Sequence, residues 1–343
     1  MKALVLTDYN HFDYTDVPEP EVGPRDVLIR VRASGICGSD VHGMDGSTGR
    51  RLPPIIMGHE ASGEVARTGP EVTGWQVGDR VTFDSTIYCG TCETCRAGLV
   101  NLCPNRRVLG VSCDEYRQHG TFAEYVAVPD HILYRLPDNV SFVAGAAVEP
   151  LSIAVHAISR TTVTPDSSVV VVGAGVIGLM IIQALRARGC TKIVVVDINP
   201  ARLEVAKSLG ARTAIRSDRG DPLAEIRAAT TPDGADIAFE AVGISPTVGL
   251  AVAALRKGGS LVLVGNVAPV VDLSLQTVVT RQLTLAGSAT SAGEYPECLE
   301  MISSGRVNAE ALVSAVRPLS EGDEWFRRLY RGEESLVKVV LEP

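Results

Sequence analysis

The feature that most constrains this chain is a strand, a glycine turn and a helix in immediate succession. Ser168–Val172 (SVVVV) runs into Gly173-Ala174-Gly175-Val176-Ile177-Gly178 and then into an apolar helical stretch reaching about Arg188. GxGxxG by itself is a weak signal, because 33 glycines produce near matches by chance. Here it closes one strand and opens a helix, and the next strand, Lys192–Asp197 (KIVVVD), ends in an acid 24 residues after Gly173. The three glycines do different things. The first makes the tight turn, the second lets a pyrophosphate approach the backbone, and the third lets helix and sheet pack closely. The helix N-terminus adds free N–H donors and positive potential. An acid at the end of the second strand accepts from ribose hydroxyls and repels a 2′-phosphate, which points to NAD rather than NADP. Arg202, five residues further on, is placed to cover an adenine or to stand solvated on its helix.

The surrounding text extends this into an α/β domain. Helical 200–209 follows the second strand, and apolar runs at 212–216, Ala235–Glu240, 260–265 and 282–289 bring the strand count to six. Apolar strands alternating with helices mean βαβ units and a parallel sheet covered on both faces. Before about residue 150 the rhythm differs. Short runs such as 26–31 (DVLIRV), 61–66 (ASGEVA) and 122–128 (FAEYVAV) are separated by Gly, Pro and Asp, which suits an antiparallel, barrel-like domain. The end of the chain reads as helices at 296–305 and Gly322–Tyr330 and a strand at 337–341. At 343 residues, two domains are expected.

Four of the eight cysteines crowd into fifteen residues as Cys89-x2-Cys92-x2-Cys95-x7-Cys103. Nothing at the N-terminus reads as an export signal, so a reducing, cytoplasmic setting is expected, and clustered thiols there read as metal ligands rather than disulfides. Four thiolates close a tetrahedron around zinc and leave no open position, a structural site. Four cysteines can also hold an iron–sulfur cluster, but nothing else in the chain points to electron transfer. A nucleic-acid-binding zinc ribbon is disfavoured by the balanced charges around the cluster and by the net charge of −8. The longest apolar stretch, 169–182, is too short to span a bilayer, so neither nucleic acid nor membrane is an expected partner.

A second set mixes ligand types: Cys37-Gly38-Ser39-Asp40-Val41-His42, Gly58-His59-Glu60 and Glu149-Pro150. Cys, His and carboxylate together are the donors of zinc sites that keep a position open for water or substrate. Spacing alone does not bring them together; singly, each reads equally well as a buried thiol, a core histidine or a surface acid.

Together these motifs, with Gly78-Asp79-Arg80-Val81, GTFAEY at 120–125 and Glu149-Pro150-Leu151-Ser152, resemble the medium-chain zinc-dependent alcohol dehydrogenases over essentially the whole chain. The polyol branch typified by sorbitol dehydrogenase is the nearest in pattern, with L-threonine dehydrogenase next. The resemblance implies a barrel-like (GroES-like) catalytic domain over 1–153 and 295–343, and a doubly wound six-stranded parallel Rossmann domain over 154–294. It implies that Cys37 and His59 ligate a catalytic zinc with Glu60 or Glu149 completing the set, and that Cys89, Cys92, Cys95 and Cys103 hold a structural zinc. Ser39 and His42 match a relay that carries the alcohol proton to solvent, an imidazole being the side chain suited to exchange protons near neutral pH. Val242, Gly243, Val264, Gly265, Asn266, Ser288 and Ala289 are implied contacts of the nicotinamide. A small-molecule alcohol substrate and a homodimer or homotetramer are the implied partners. Two positions depart from the sorbitol-type pattern: Gly43 stands where a tyrosine is often found, and Ser288–Thr290 lacks an arginine. The rival readings are an L-threonine or 2,3-butanediol-type dehydrogenase and a non-catalytic NAD-binding protein, the latter disfavoured because the whole candidate set is present.

Overall fold

The computed structural model describes residues 1–113, 116–333 and 336–343. The chain forms two units. One comprises Met1–Glu149, Ser291–Gly305 and Ala309–Pro343; the other comprises Pro150–Thr290 with Arg306–Asn308.

The first unit is built around the strand Asp26–Gly35. Its alternating Val27, Ile29 and Val31 are buried while Arg30 and Arg32 face out, the period of a half-buried strand. It pairs antiparallel with Glu60–Thr68, Tyr125–Pro129 and Lys338–Glu342. Arg80–Phe83 and Leu133–Arg135 extend the sheet on one side, and Val313–Pro318 extends it on the other, parallel to Lys338–Glu342. A separate antiparallel sheet orders His11–Asp16, Lys2–Asp8 and Ile55–Ile56. One apolar cluster fills the space between Val27, Val65, Phe83 and Ile132; a second gathers Leu4, Phe12, Met57, Phe122 and Phe326. The Phe326 ring lies 4.6 Å from Phe12 and 5.6 Å from Phe122 between centroids, the spacing of paired aromatic rings. The strand expected at 122–128 is found at Tyr125–Pro129, because Phe122 sits in a turn whose ring is drawn into the second cluster.

In the second unit the six strands run parallel in the order Thr213–Arg216, Lys192–Asp197, Ser168–Val172, Ala235–Glu240, Leu255–Leu263, Thr284–Gly287. Counted along the chain this is 3-2-1-4-5-6, the doubly wound Rossmann order, whose switch point lies beside the first strand. Asn199 and Asp221 cap the helices Pro200–Ser208 and Pro222–Ala229 by accepting two backbone amides each, and Pro at the first helical position fixes the entry. The fifth strand begins at Leu255 rather than 260: Leu255 pairs with Ala235 and Ser260 with Ile237, so Arg256–Gly259 form an irregular excursion inside the strand, with Gly258 at φ +71°. Among the described residues no helix is long and apolar enough to cross a membrane.

Candidate functional site

Strand pairing assembles the first group of candidate residues. Gly35 is the register partner of Glu60, so the segment leaving Gly35 begins beside the His59-Glu60 pair. A Cβ at Gly35 would overlap the Glu60 carboxylate, which explains a glycine at the end of that strand. Two residues on, Cys37 caps the short helix Gly38–Val41. The ligand atoms of Cys37, His59 and Glu60 all lie within 4.8 Å of one another. Glu149, in the first turn of the helix Val148–Ser159, is not in that group. It is buried, accepts a hydrogen bond from Ser85 Oγ at 3.1 Å, and feels the charges of His59, Glu60 and Cys37.

The electrostatics of this group ask for a cation. Burial, reinforced by the Glu60 carboxylate, pushes the Cys37 thiol up to about 12. Burial likewise pushes Glu149 up to about 8, against the pull of His59. His59 Nδ1 is buried and makes no hydrogen bond among the described residues; Asp40 Oδ1, at 3.5 Å, is beyond good hydrogen-bond range. Thiolate, imidazole and carboxylate are borderline donors that suit zinc, and a dication stabilises the charged forms that burial disfavours. The residues present therefore fit a catalytic zinc.

Ser39 and His42 lie three residues apart along the same helical turn, and both are exposed. Three buried residues near them were not singled out from sequence. Lys338 pairs with Glu60 Oε2 and donates to the Ile36 carbonyl at 3.1 Å. Asp40 and Arg51 form an ion pair, Nη2 to Oδ1 2.8 Å, in which both side chains are almost fully buried. The only sequence signal for Lys338 is a cation inside the apolar run LVKVV, and Arg51 carries none.

The cysteine lobe stands apart in its chemistry. The four Sγ atoms of Cys89, Cys92, Cys95 and Cys103 lie within 4.8 Å of one another, with Cys89–Cys95 at 4.0 Å and Cys92–Cys103 at 3.9 Å. Zinc bonded to four thiolates at about 2.3 Å sets neighbouring sulfurs about 3.8 Å apart, so the cluster fits the ion with little adjustment. Amides of Thr91 and Cys92 donate toward Cys89 and draw its thiol down to about 5, toward the thiolate a metal requires.

The three glycines of the turn in the second unit have different surroundings. Gly173 adopts φ +104°, and a Cβ there would lie 2.7 Å from Val242 Cγ2. A Cβ at Gly178 would overlap the Gly173 carbonyl, so helix and turn touch backbone to backbone. At Gly175 a Cβ would meet nothing within 4 Å: this glycine faces open space at the N-terminus of Val176–Ala187. Asp197 Oδ2 accepts from the Ala174 amide at 2.6 Å and Oδ1 from the Asn199 amide at 2.8 Å, so the acid is anchored to the turn itself. Glu240, wholly buried, accepts from the Val242 and Gly243 amides, while its own carbonyl accepts from Val264 and Gly265. That residue ties together the two loops holding Val242, Gly243, Val264, Gly265 and Asn266. Arg202 Nε and Ser288 Oγ are buried without a hydrogen-bond partner among the described residues. An open backbone cradle, an anchored acid and unpartnered donors fit a dinucleotide.

Family models match this chain in two places: an alcohol dehydrogenase GroES-like domain over residues 23–138 and a zinc-binding dehydrogenase domain over residues 176–304. The chain belongs to the medium-chain zinc-dependent alcohol dehydrogenases. Sorbitol dehydrogenase of Bacillus subtilis is 33% identical over 347 residues, covering 100% of this chain and 97% of the relative. A probable D-xylulose reductase A of Aspergillus terreus is 37% identical over 341 residues, covering 96% and 95%. Among solved structures, alcohol dehydrogenase TADH from Thermus sp. ATN1 superposes with a TM-score of 0.93 at 34% identity, covering 100% of this chain and 99% of that one. As a zinc-dependent alcohol dehydrogenase the protein is an oxidoreductase whose cofactors are zinc and NAD.

Proposed function

We propose that this dehydrogenase oxidises a secondary alcohol group of a polyol or sugar alcohol to a ketone, with NAD as hydride acceptor. The observation that carries the reading is the mixed Cys37, His59 and Glu60 group with Glu149 beside it, where both acids are carboxylates rather than a second thiolate. Cys37, His59 and Glu60 or Glu149 would hold the catalytic zinc, Cys89, Cys92, Cys95 and Cys103 the structural one, and the Gly173–Gly178 turn with Asp197 and Arg202 the dinucleotide. On this reading the unit containing Met1–Glu149 is the catalytic zinc domain and the unit containing Pro150–Thr290 the NAD-binding domain.

When bound, zinc would supply a Lewis acid for the alcohol oxygen and NAD a hydride acceptor. The chain's own residues handle the proton. Ser39 accepts a hydrogen bond from the alcohol hydroxyl and passes its own proton outward, and His42, one helical turn on and exposed, releases it to solvent. Lys338 supplies a buried counter-charge to the Glu60 carboxylate.

A second reading, an L-threonine or 2,3-butanediol-type dehydrogenase, is favoured by one observation. Position 43, where the sorbitol-type pattern often has a tyrosine, is a glycine whose Cβ would meet the Arg51 stem. NAD reduction across hexitols, sugar alcohol phosphates, L-threonine and vicinal diols, each with a chelator control, separates the two. Chelator-sensitive turnover confined to threonine or butanediol would overturn the polyol reading.

Glu149→Ala should lower kcat strongly while leaving NAD affinity within about twofold. Partners that merely orient a ligand cost 10–100-fold when removed, so a loss on the order of 100-fold or more is expected for a ligand itself. Unchanged turnover would remove Glu149 from the ligand set.

The assembly we infer is a homodimer or a tetramer of dimers, in the cytoplasm. Thr284–Gly287 is the last strand of its sheet, paired on one side only, and Val267, Val270, Leu275 and Val279 are exposed in the same unit. An open edge beside apolar surface supports pairing of two copies across a two-fold axis. Sedimentation measurements on the purified protein test it.

A further inference from the structure

The mechanism above uses Ser39 but not the buried guanidinium that touches it. Arg51 lies in the segment 43–54 and is 3% exposed. Its Nη2 donates to Ser39 Oγ at 3.3 Å and to Asp40 Oδ1 at 2.8 Å; Nε donates to the same Oδ1 at 3.3 Å, and Nη1 to the Arg50 carbonyl at 3.2 Å. The other oxygen of Asp40 accepts from the Cys37 amide at 3.3 Å. One carboxylate therefore ties the guanidinium to the turn that carries Cys37 and Ser39. The stem of Arg51 is equally placed: a Cβ at Gly43 would lie 2.6 Å from Arg51 Cγ. The same Cβ would lie 2.9 Å from the Ser39 carbonyl oxygen, so a larger residue at 43 would disturb both the guanidinium and the backbone of the serine it touches.

We infer that Arg51 is a positioning residue of the proton path, holding the Ser39 hydroxyl in the one orientation that receives a proton from the alcohol and gives up its own. The inference rests on the reading of Ser39 as the group that accepts the alcohol hydroxyl's hydrogen bond. A serine hydroxyl has one proton to donate and two lone pairs, and a guanidinium has only donors. The contact from Nη2 thus occupies one lone pair and forbids Ser39 from donating in that direction. The other lone pair is left for the alcohol; the Ser39 proton, which also lies within reach of the Cys37 sulfur, is the one passed to the next carrier. Proton balance is kept: Ser39 gains one proton from the alcohol as it loses its own, and Arg51 neither gains nor loses any. A planar fork pinned by a buried carboxylate restricts this orientation far better than a single flexible ammonium could.

The test is a cycle of Arg51→Lys, Ser39→Ala and the double variant, assayed with the alcohol that the substrate panel identifies. Lysine keeps a positive partner for Asp40 but cannot serve Ser39 and Asp40 with the same fork geometry. Arg51→Lys should lower kcat for oxidation by about tenfold or more, with a larger solvent deuterium isotope effect, since proton movement becomes the slower step. Zinc content, melting temperature and the Kd for NADH by fluorescence titration should be unchanged. In the Ser39→Ala background the lysine substitution should cost less than about twofold further, because two groups acting through one another are not additive. A full tenfold loss persisting without the Ser39 hydroxyl, or no loss in Arg51→Lys, overturns the inference. Unchanged turnover in Ser39→Ala alone sinks the serine reading itself, a result distinct from either.

Discussion

Gly175→Ala should abolish useful NAD binding in a protein that melts at the wild-type temperature, whereas Gly178→Ala should lose both coenzyme and stability. The two glycines are three residues apart in one motif, yet their surroundings differ. Gly175 has φ −72°, which alanine adopts without strain, and its missing Cβ would touch nothing within 4 Å. The methyl group therefore costs the folded chain nothing and fills only the space that a pyrophosphate needs. Losing one or two charge-assisted hydrogen bonds at about 1.5–3 kcal/mol each would weaken NAD by about 10–100-fold or more. At Gly178 the added methyl overlaps the Gly173 carbonyl, which is backbone and cannot rotate aside. The helix Val176–Ala187, with eight consecutive buried residues from Gly178 to Leu185, would have to lift off its strand. Overpacking typically costs about 1–3 kcal/mol, and a clash with rigid backbone belongs at the upper end. At about 2–4 °C per kcal/mol for a unit of this size, melting should fall by about 6–10 °C. Calorimetry alongside NADH fluorescence titration checks the pair; a stable Gly178→Ala that binds NAD normally would refute this account of the turn.

That contrast also shows what was legible in the sequence. Features whose parts lie close together in the chain could be read directly. The glycine turn, the acid ending the second strand and the four thiols each fall within a short stretch, so local geometry alone restricts where their atoms can go. The Ser168–Val172 and Lys192–Asp197 strands were equally plain, because strands buried on both faces are near-continuous apolar runs, and Ala235–Glu240 keeps the apolar Ile237-Ala238-Phe239 between its two acids. Strand ends that depend on pairing were not: Leu255 joins the sheet opposite Ala235 ahead of the polar Arg256-Lys257-Gly258-Gly259, an irregular excursion that no apolar run announces.

The candidate metal group was legible only through family resemblance, and its supports not at all. Cys37 and His59 meet because Gly35 pairs with Glu60, a register that no local pattern dictates. Lys338 arrives from the other end of the chain because Lys338–Glu342 adds to the same central strand. Arg51 is an arginine in a loop, and a buried loop arginine has the same sequence signature as a solvated one. Long-range register and the counter-ions of buried carboxylates are properties of the assembled sheet, so they are visible only once it is built.

Replacing any one of Cys89, Cys92, Cys95 or Cys103 by serine should cost the catalytic unit far more stability than an ordinary surface substitution, while the coenzyme unit remains able to bind NAD. Among the described residues the lobe's own short elements bury little, although Cys103 and Asn101 are buried and Arg107–Val108 pairs with Thr86–Ile87 at its base. Its helix, Glu93–Arg96, has four residues and buries none of them, and Val100–Leu102 is a single tight turn. Helices of that length do not persist alone in water. Leu99 and Leu102 are exposed, so they add little apolar burial. The cross-link that four thiolates make with zinc is then the main tertiary restraint on the segment, and metal binding becomes folding free energy. Loss of a structural metal belongs among the changes that exceed about 4 kcal/mol. Graded chelation should separate the two metal groups. The carboxylate-containing group around Cys37 should release zinc first, giving loss of turnover at an unchanged melting temperature. The four-thiolate lobe should follow only at higher chelator concentration, with a fall in melting temperature of about 10 °C. Zinc content, turnover and melting measured on the same samples decide it. A simultaneous loss of both ions, or a Cys95→Ser protein as stable as the wild type, would mean that the lobe holds its shape without metal.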